Sequence, residues 1–144
     1  MSKIHASFIA FVMLGLWAFG YCEVPQEKCV TLLEAVRKGD FKQVLILLEQ
    51  GVDVNCRGEH QYTPLIAAAR SNRIEIAQVL CDRGANLNAA ADIGISENEW
   101  GYTALLWATY NCYVDMAELL ISRGAAVGRQ GRGGDILLII AARQ

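Results

Sequence analysis

Three segments of this chain are copies of one another, and the repetition constrains the fold more than any other feature. Thr63-Pro64-Leu65-Ile66-Ala67-Ala68-Ala69 is followed, after a fixed interval, by Gly84-Ala85-Asn86-Leu87-Asn88. Thr103-Ala104-Leu105-Leu106-Trp107-Ala108-Thr109 reaches Gly124-Ala125-Ala126-Val127 over the same interval from its Thr to its Gly. Val30-Thr31-Leu32-Leu33-Glu34-Ala35-Val36 reaches Gly51-Val52-Asp53-Val54-Asn55 over that interval again. A unit of this length cannot bury its apolar face alone, and it does so by stacking on its neighbours.

Within each unit the positions read as two helices. Leu32, Leu65 and Leu105 share one slot, and Ala35, Ala68 and Ala108 another, where a small side chain lets adjacent helices approach closely. Gly39, Asn72 and Cys112 fall at the corner between the helices. Gly and Asn tolerate the left-handed backbone such a corner needs, whereas Cys112 predicts a strained or rebuilt corner. The second helix has apolar residues at a helical period: Val44 to Leu48, Ile74 to Cys81, Val114 to Ile121. Asp40, Glu75 and Asp115 stand near its start, favourable against the helix dipole, and Gly51, Gly84 and Gly124 end it. Cys81 takes the slot of Leu48 and Ile121, which predicts a small buried side chain rather than a reactive thiol.

This pattern resembles the ankyrin repeat: a Thr-Pro-Leu opening, paired alanines, an apolar run, then Gly-Ala-x-x-Asn. The resemblance covers about Gln26 to Gln144, with the period of about 33 residues that such repeats have. It implies an all-α solenoid of helix-turn-helix units joined by β-hairpin loops, with about three full repeats plus a partial fourth. Their approximate extents are 26–57, 58–90, 91–130 and 131–144. The family's His is replaced by Leu33, Ile66, Leu106 and Ile139, so packing takes over from its local hydrogen bonds.

The breaks in the pattern are informative. The step from Gly51 to Thr63 equals that from Gly124 to Ile136, but the step from Gly84 to Thr103 is longer. Seven extra residues therefore enter the second hairpin, within Asp92 to Trp100. Lengthening a loop this way costs only about 0.4 kcal/mol, so the fold tolerates it. Its acids and Trp100 favour a partner contact over an idle loop. The fourth unit starts at Ile136-Leu137-Leu138-Ile139-Ile140 and stops at Gln144. Its apolar residues Ile136–Ile140 suggest either docking, including self-association, or a truncated product of a longer gene.

Residues 1–20 differ in kind. Lys3 precedes an uncharged stretch from Ala6 to Gly20, and the first acid is Glu23. This describes a secretory signal with cleavage after Gly20, leaving a repeat domain over 21–144; an uncleaved membrane anchor is the alternative. A periplasmic or secreted location follows, with a bacterial periplasm favoured by the single signal and the lack of a further domain. Export permits disulfides. The odd set Cys22, Cys29, Cys56, Cys81 and Cys112 is no disulfide framework, but it allows one bridge, Cys22 to Cys29 or Cys29 to Cys56.

Chemistry is hard to find. The histidines are His5, in the leader, and His60, in a hairpin. Metal-ligand spacing and a phosphate loop are both missing, so no cofactor or metal is expected. A formal charge of −2 without a basic run argues against nucleic acid and anionic membranes as partners.

Binding a protein is the better reading. The resemblance implies that hairpin tips and the exposed side of the first helices line a groove. Onto that surface fall Glu59, His60, Tyr62 and Arg70, then Glu99, Trp100, Tyr102, Tyr110 and Asn111. Tyr, Trp and Arg are the types enriched at interface hot spots. The competing reading is that Tyr62 and Tyr102 only pack between hairpins, and Trp107 and Tyr113 read as packing or edge residues. Replacing Trp100 and Tyr102 by Ala is expected to abolish capture and spare folding. Two other classes stand beside this one: a thiol enzyme using Cys29, Cys56 and His60, and a self-assembling structural protein. Within the binding class, a role as accessory or inhibitory factor for a periplasmic enzyme or toxin is a further option.

Overall fold

A computed structural model describes residues 25–92 and 101–127. The leader, Cys22, the insertion tip with Glu99 and Trp100, and Ile136–Ile140 lie outside the described residues. Six helices are described: α1 Pro25–Lys38, α2 Phe41–Glu49, α3 Pro64–Arg70, α4 Ile74–Asp82, α5 Ala104–Tyr110 and α6 Val114–Ser122. They pair as α1/α2, α3/α4 and α5/α6. The first helices stack in one layer, α3 lying between α1 and α5, and the second helices stack in another, α4 lying between α2 and α6.

The equivalent apolar slots form the core. Leu32, Leu65 and Leu105 are buried, as are Ala35, Ala68 and Ala108 beside them and Leu47, Leu80 and Leu120 from the second layer. Fully burying each Leu contributes about 1.5–3 kcal/mol. Thr63 and Thr103 cap α3 and α5, each hydroxyl accepting the amide of Ile66 at 3.3 Å or Leu106 at 3.2 Å. In the first unit Val30 holds that slot, and α1 runs through it from Pro25.

All three helix corners share one geometry. Gly39, Asn72 and Cys112 adopt φ of +81°, +53° and +57°. The residue after each donates its amide to the carbonyl of Ala35, Ala68 or Ala108, at 3.0, 2.9 and 2.9 Å. The Cys112 corner is therefore not rebuilt. It keeps the geometry of the other two and carries whatever strain a Cβ adds there.

Asparagine side chains tie successive units together. Asn55 donates to the Gly84 carbonyl at 3.2 Å and accepts the Asn86 amide at 2.7 Å. Asn88 accepts the Ala126 amide at 2.8 Å, repeating the link one unit on. The base of the insertion is a short antiparallel ladder of β1 Ala90–Ala91 and β2 Tyr102–Thr103, with Ala90 opposite Thr103. Gly101 is required there, since a Cβ would lie 2.7 Å from Ala90 Cβ and 2.9 Å from the Ala91 carbonyl oxygen. At the other end, a disulfide joins Cys29 of α1 to Cys56, with Cα atoms 5.9 Å apart.

Candidate protein-binding face

The first hairpin positions its tip through an unusual turn. His60 and Gln61 have φ of +54° and +59°, so two consecutive residues with side chains occupy the left-handed region. The turn is closed by Gly58 N–H to Tyr62 carbonyl at 2.9 Å and Tyr62 N–H to Glu59 carbonyl at 3.1 Å. A two-residue turn of this kind suits Asn-Gly. Holding His and Gln there costs energy, and such strain concentrates at working sites. The His60 carbonyl also accepts the Asp92 amide at 2.9 Å, which locks this hairpin to the next.

Between α1 and α3 lies a groove of about 640 Å³. Val30, Leu33, Glu34 and Arg37 line one side, Tyr62, Ala67, Arg70 and Ser71 the other, and Gly58–His60 close the hairpin end. Glu59, His60, Tyr62 and Arg70 are thus brought together around one opening. Val30 is 46% exposed at its edge, a large apolar surface left to solvent.

A second cluster crosses from the second unit to the third, and its hub is Trp107. The Trp107 ring centroid lies 5.1 Å from that of Tyr102, 6.3 Å from Tyr110 and 6.4 Å from Tyr62. The Arg70 guanidinium sits 5.1 Å from the Trp107 centroid and 5.7 Å from that of Tyr62. A cation held over rings at an exposed position contributes about 0.5–1 kcal/mol. Tyr110 remains 72% exposed. The Trp107 Nε1 proton is shut from water and finds no acceptor among the described residues. A buried unpaired donor costs about 1–3 kcal/mol, so stability alone does not account for a tryptophan here.

Not every sequence-predicted residue is free to meet a partner. Asn111 ends α5, and its side-chain amide is engaged by the Trp107 carbonyl at 2.8 Å. Tyr62 and Tyr102 are half-buried and pack as well as display, so removing Tyr102 disturbs β2 and the Trp107 ring as well as the surface. Thermal unfolding of the Trp100→Ala/Tyr102→Ala variant is the measurement that decides whether its loss spares folding. Trp107 is the residue that sequence reasoning set aside. It occupies the slot of Ala67 and Glu34, and a tryptophan where the preceding repeat has Ala was the available signal.

The thiols are poorly placed for chemistry. Cys29 and Cys56 are engaged with each other, which leaves neither as a nucleophile for His60. Cys81 is half-buried rather than fully buried. Burial raises its pKa above the ordinary 9.0, Arg123 pulls it down, and Asp82 pushes it up. Arg123 and Asp82 are themselves paired at 2.5 Å. Among the described residues no group of three or more His, Cys, Asp or Glu gathers as a metal site. No helix there is long and apolar enough to cross a membrane.

Stacked helix pairs, hairpins in register and side chains gathered on one face define a repeat solenoid that displays a surface. Residues 32–131 match the family model for ankyrin repeats in three copies, and the chain belongs to the ankyrin-repeat family. Repeats of this family mediate protein–protein interaction. The chain is 34% identical over 86 residues to the ankyrin repeat, SAM and basic leucine zipper domain-containing protein 1 of Mustela putorius furo, covering 53% of this chain and 18% of that protein. It is 35% identical over 86 residues to the mitochondrial disaggregase of Bos taurus, 55% of this chain and 13% of the relative. It is 34% identical over 113 residues to the ankyrin repeat and KH domain-containing protein mask of Drosophila melanogaster, 78% of this chain and 3% of the relative. The chain thus spans less than a fifth of the length of each of these relatives.

Proposed function

We propose that this chain is a non-catalytic, exported binding module that holds a partner protein across its first helices and hairpin tips. The carrying observation is the Trp107 cluster, with Arg70 and Tyr110 exposed around it at the edge of an open groove. Trp, Tyr and Arg in one patch are the usual makings of a binding hot spot. Export is supported by the uncharged segment Ala6–Gly20 after Lys3, and by the Cys29–Cys56 bond, which suits an oxidising compartment.

The test is affinity capture from cells producing the tagged chain, beside a Tyr110→Asp/His60→Ala variant that alters only exposed side chains. Wild type should retain a partner that the variant loses, while the variant still unfolds cooperatively, with a stability loss no larger than one edge-on ring pair, about 0.5–1.5 kcal/mol. Absence of any wild-type partner, or equal capture by the variant, removes the basis for this face. Intact-mass measurement of the recovered protein tests export, because cleavage after Gly20 removes residues 1–20.

A further inference from the structure

The groove between α1 and α3 carries a charge pattern that narrows the partner. The inference rests on the protein-binding reading. Arg37 and Arg70 stand one repeat period apart, in the same slot of consecutive first helices, and both border the groove. Both are exposed. The Arg37 side chain has no ion pair or hydrogen bond among the described residues. Arg70 makes one long contact, 3.5 Å to the Tyr62 hydroxyl, and otherwise leans on rings. Most donors of both five-donor forks are therefore open to a ligand.

The acids nearby do not cancel them. Glu34 is engaged by Lys38 at 3.7 Å, which leaves Glu59 at the hairpin tip against two guanidinium groups. Beside the arginines, towards the hairpin end, the lining includes the apolar Val30, Leu33 and Ala67. Packed helices lie about 8–10 Å apart, and equivalent slots on them share that spacing. An extended polyproline-II chain advances about 3.1 Å per residue and returns to the same face every third residue, so two carboxylates three residues apart span it.

We propose that the groove binds an extended segment of the partner protein in which an apolar side chain is bracketed by carboxylates three residues apart. The apolar side chain enters against Leu33 and Ala67. The carboxylates meet Arg37 and Arg70, whose planar forks suit bidentate recognition.

Selection of a phage-displayed random dodecapeptide library on the full chain, and in parallel on an Arg37→Glu/Arg70→Glu variant, tests the proposal. The wild type should enrich paired acids at that spacing about an apolar residue, and the variant should enrich Lys or Arg there. The consensus acidic peptide should bind the wild type at least about tenfold more tightly than the variant in fluorescence polarisation, the size of one good charge-assisted contact. Basic or uncharged sequences from the wild type, the same sequences from both proteins, or no enrichment overturns it. If cellular capture succeeds while this selection fails, the binding face stands and only the acidic-segment proposal falls.

Discussion

Reducing the Cys29–Cys56 bond should destabilise the chain by about 3.6 kcal/mol, and the loss should fall on the first unit. The bond closes a loop over a sequence separation of 27. The chain-entropy relation for a loop that long gives about 12 cal/mol/K, or about 3.6 kcal/mol at room temperature. The location follows from the architecture. In a stack of repeats each unit is stabilised by its neighbours, and an end unit has a neighbour on one side only. Among the described units α1/α2 packs only against α3/α4, and its first helix lacks the Thr cap that α3 and α5 possess. Cys29 is 3% exposed within α1 and Cys56 lies beyond α2, so the bond clasps the whole pair to the entry of the next unit.

Urea unfolding in a Cys22→Ser/Cys112→Ser background, oxidised and then treated with phosphine, reads the effect directly. A domain of this size has a urea slope of about 1–3 kcal/mol/M, so the midpoint should fall by about 1–4 M. Hydrogen exchange should show protection lost first at the Val44 and Leu47 amides and retained at Leu80 and Leu120. A midpoint shift below about 0.3 M at unchanged slope would refute the reasoning, because it lies well under the entropy of any loop this long. Equal loss of protection in all three units would instead refute the claim that the end unit carries the effect.

The remaining predictions concern the hairpins and the half-buried thiol. Asn55→Ala removes two hydrogen bonds to the next unit, at Gly84 and Asn86, so it should cost about 1–2 kcal/mol in urea unfolding, more than Asn88→Ala, whose side chain makes one such link among the described residues. His60→Asn with Gln61→Gly relieves two left-handed residues and should raise stability by about 1–2 kcal/mol while weakening partner capture; an unchanged or lower melting temperature refutes the strain argument. Cys81 should alkylate slowly at neutral pH, with a rate–pH profile displaced above 9.0, and Arg123→Ala should displace it further upward. The sign for stability follows: the native thiol keeps its proton after the unfolded chain has released it. The contribution is therefore complete below the unfolded pKa and is lost as pH rises through the native one.

Much of the fold was legible because its determinants are local. Thr caps and left-handed Gly and Asn corners each act within a few bonds, and each recurs at the repeat period. The candidate site was less legible because its determinants lie between units. Trp107 looks like a packing residue until Tyr62 and Arg70 of the preceding unit are placed against it. Asn111 looks like a surface contact until its amide is seen capping α5. Nothing in His60-Gln61 announces a left-handed turn, since Asn-Gly is the pair that does. Which cysteine partners Cys29 likewise depends on where the chain leaves α2, and spacing alone left Cys22 and Cys56 equal.

Arg70 and Tyr62 belong to both features of this face, and that sharing limits how a partner can bind. Both line the groove between the first two units, and both touch the Trp107 ring between the second and third. Under the proposed function a carboxylate drawing the exposed Arg70 toward the groove would lengthen its reach from Trp107, trading a ring contact of about 0.5–1 kcal/mol for a surface ion pair of similar size. The exposed Tyr110 edge lies against Trp107, where the next stretch of the proposed segment would meet it. Under the proposed function the face would read one continuous segment, acid at the second unit and apolar or aromatic at the third. The regular repeat supplies the spacing between these contacts and the paired Arg37 and Arg70, and the departures from it at Val30, Trp107 and Tyr110 supply the rest of the chemistry.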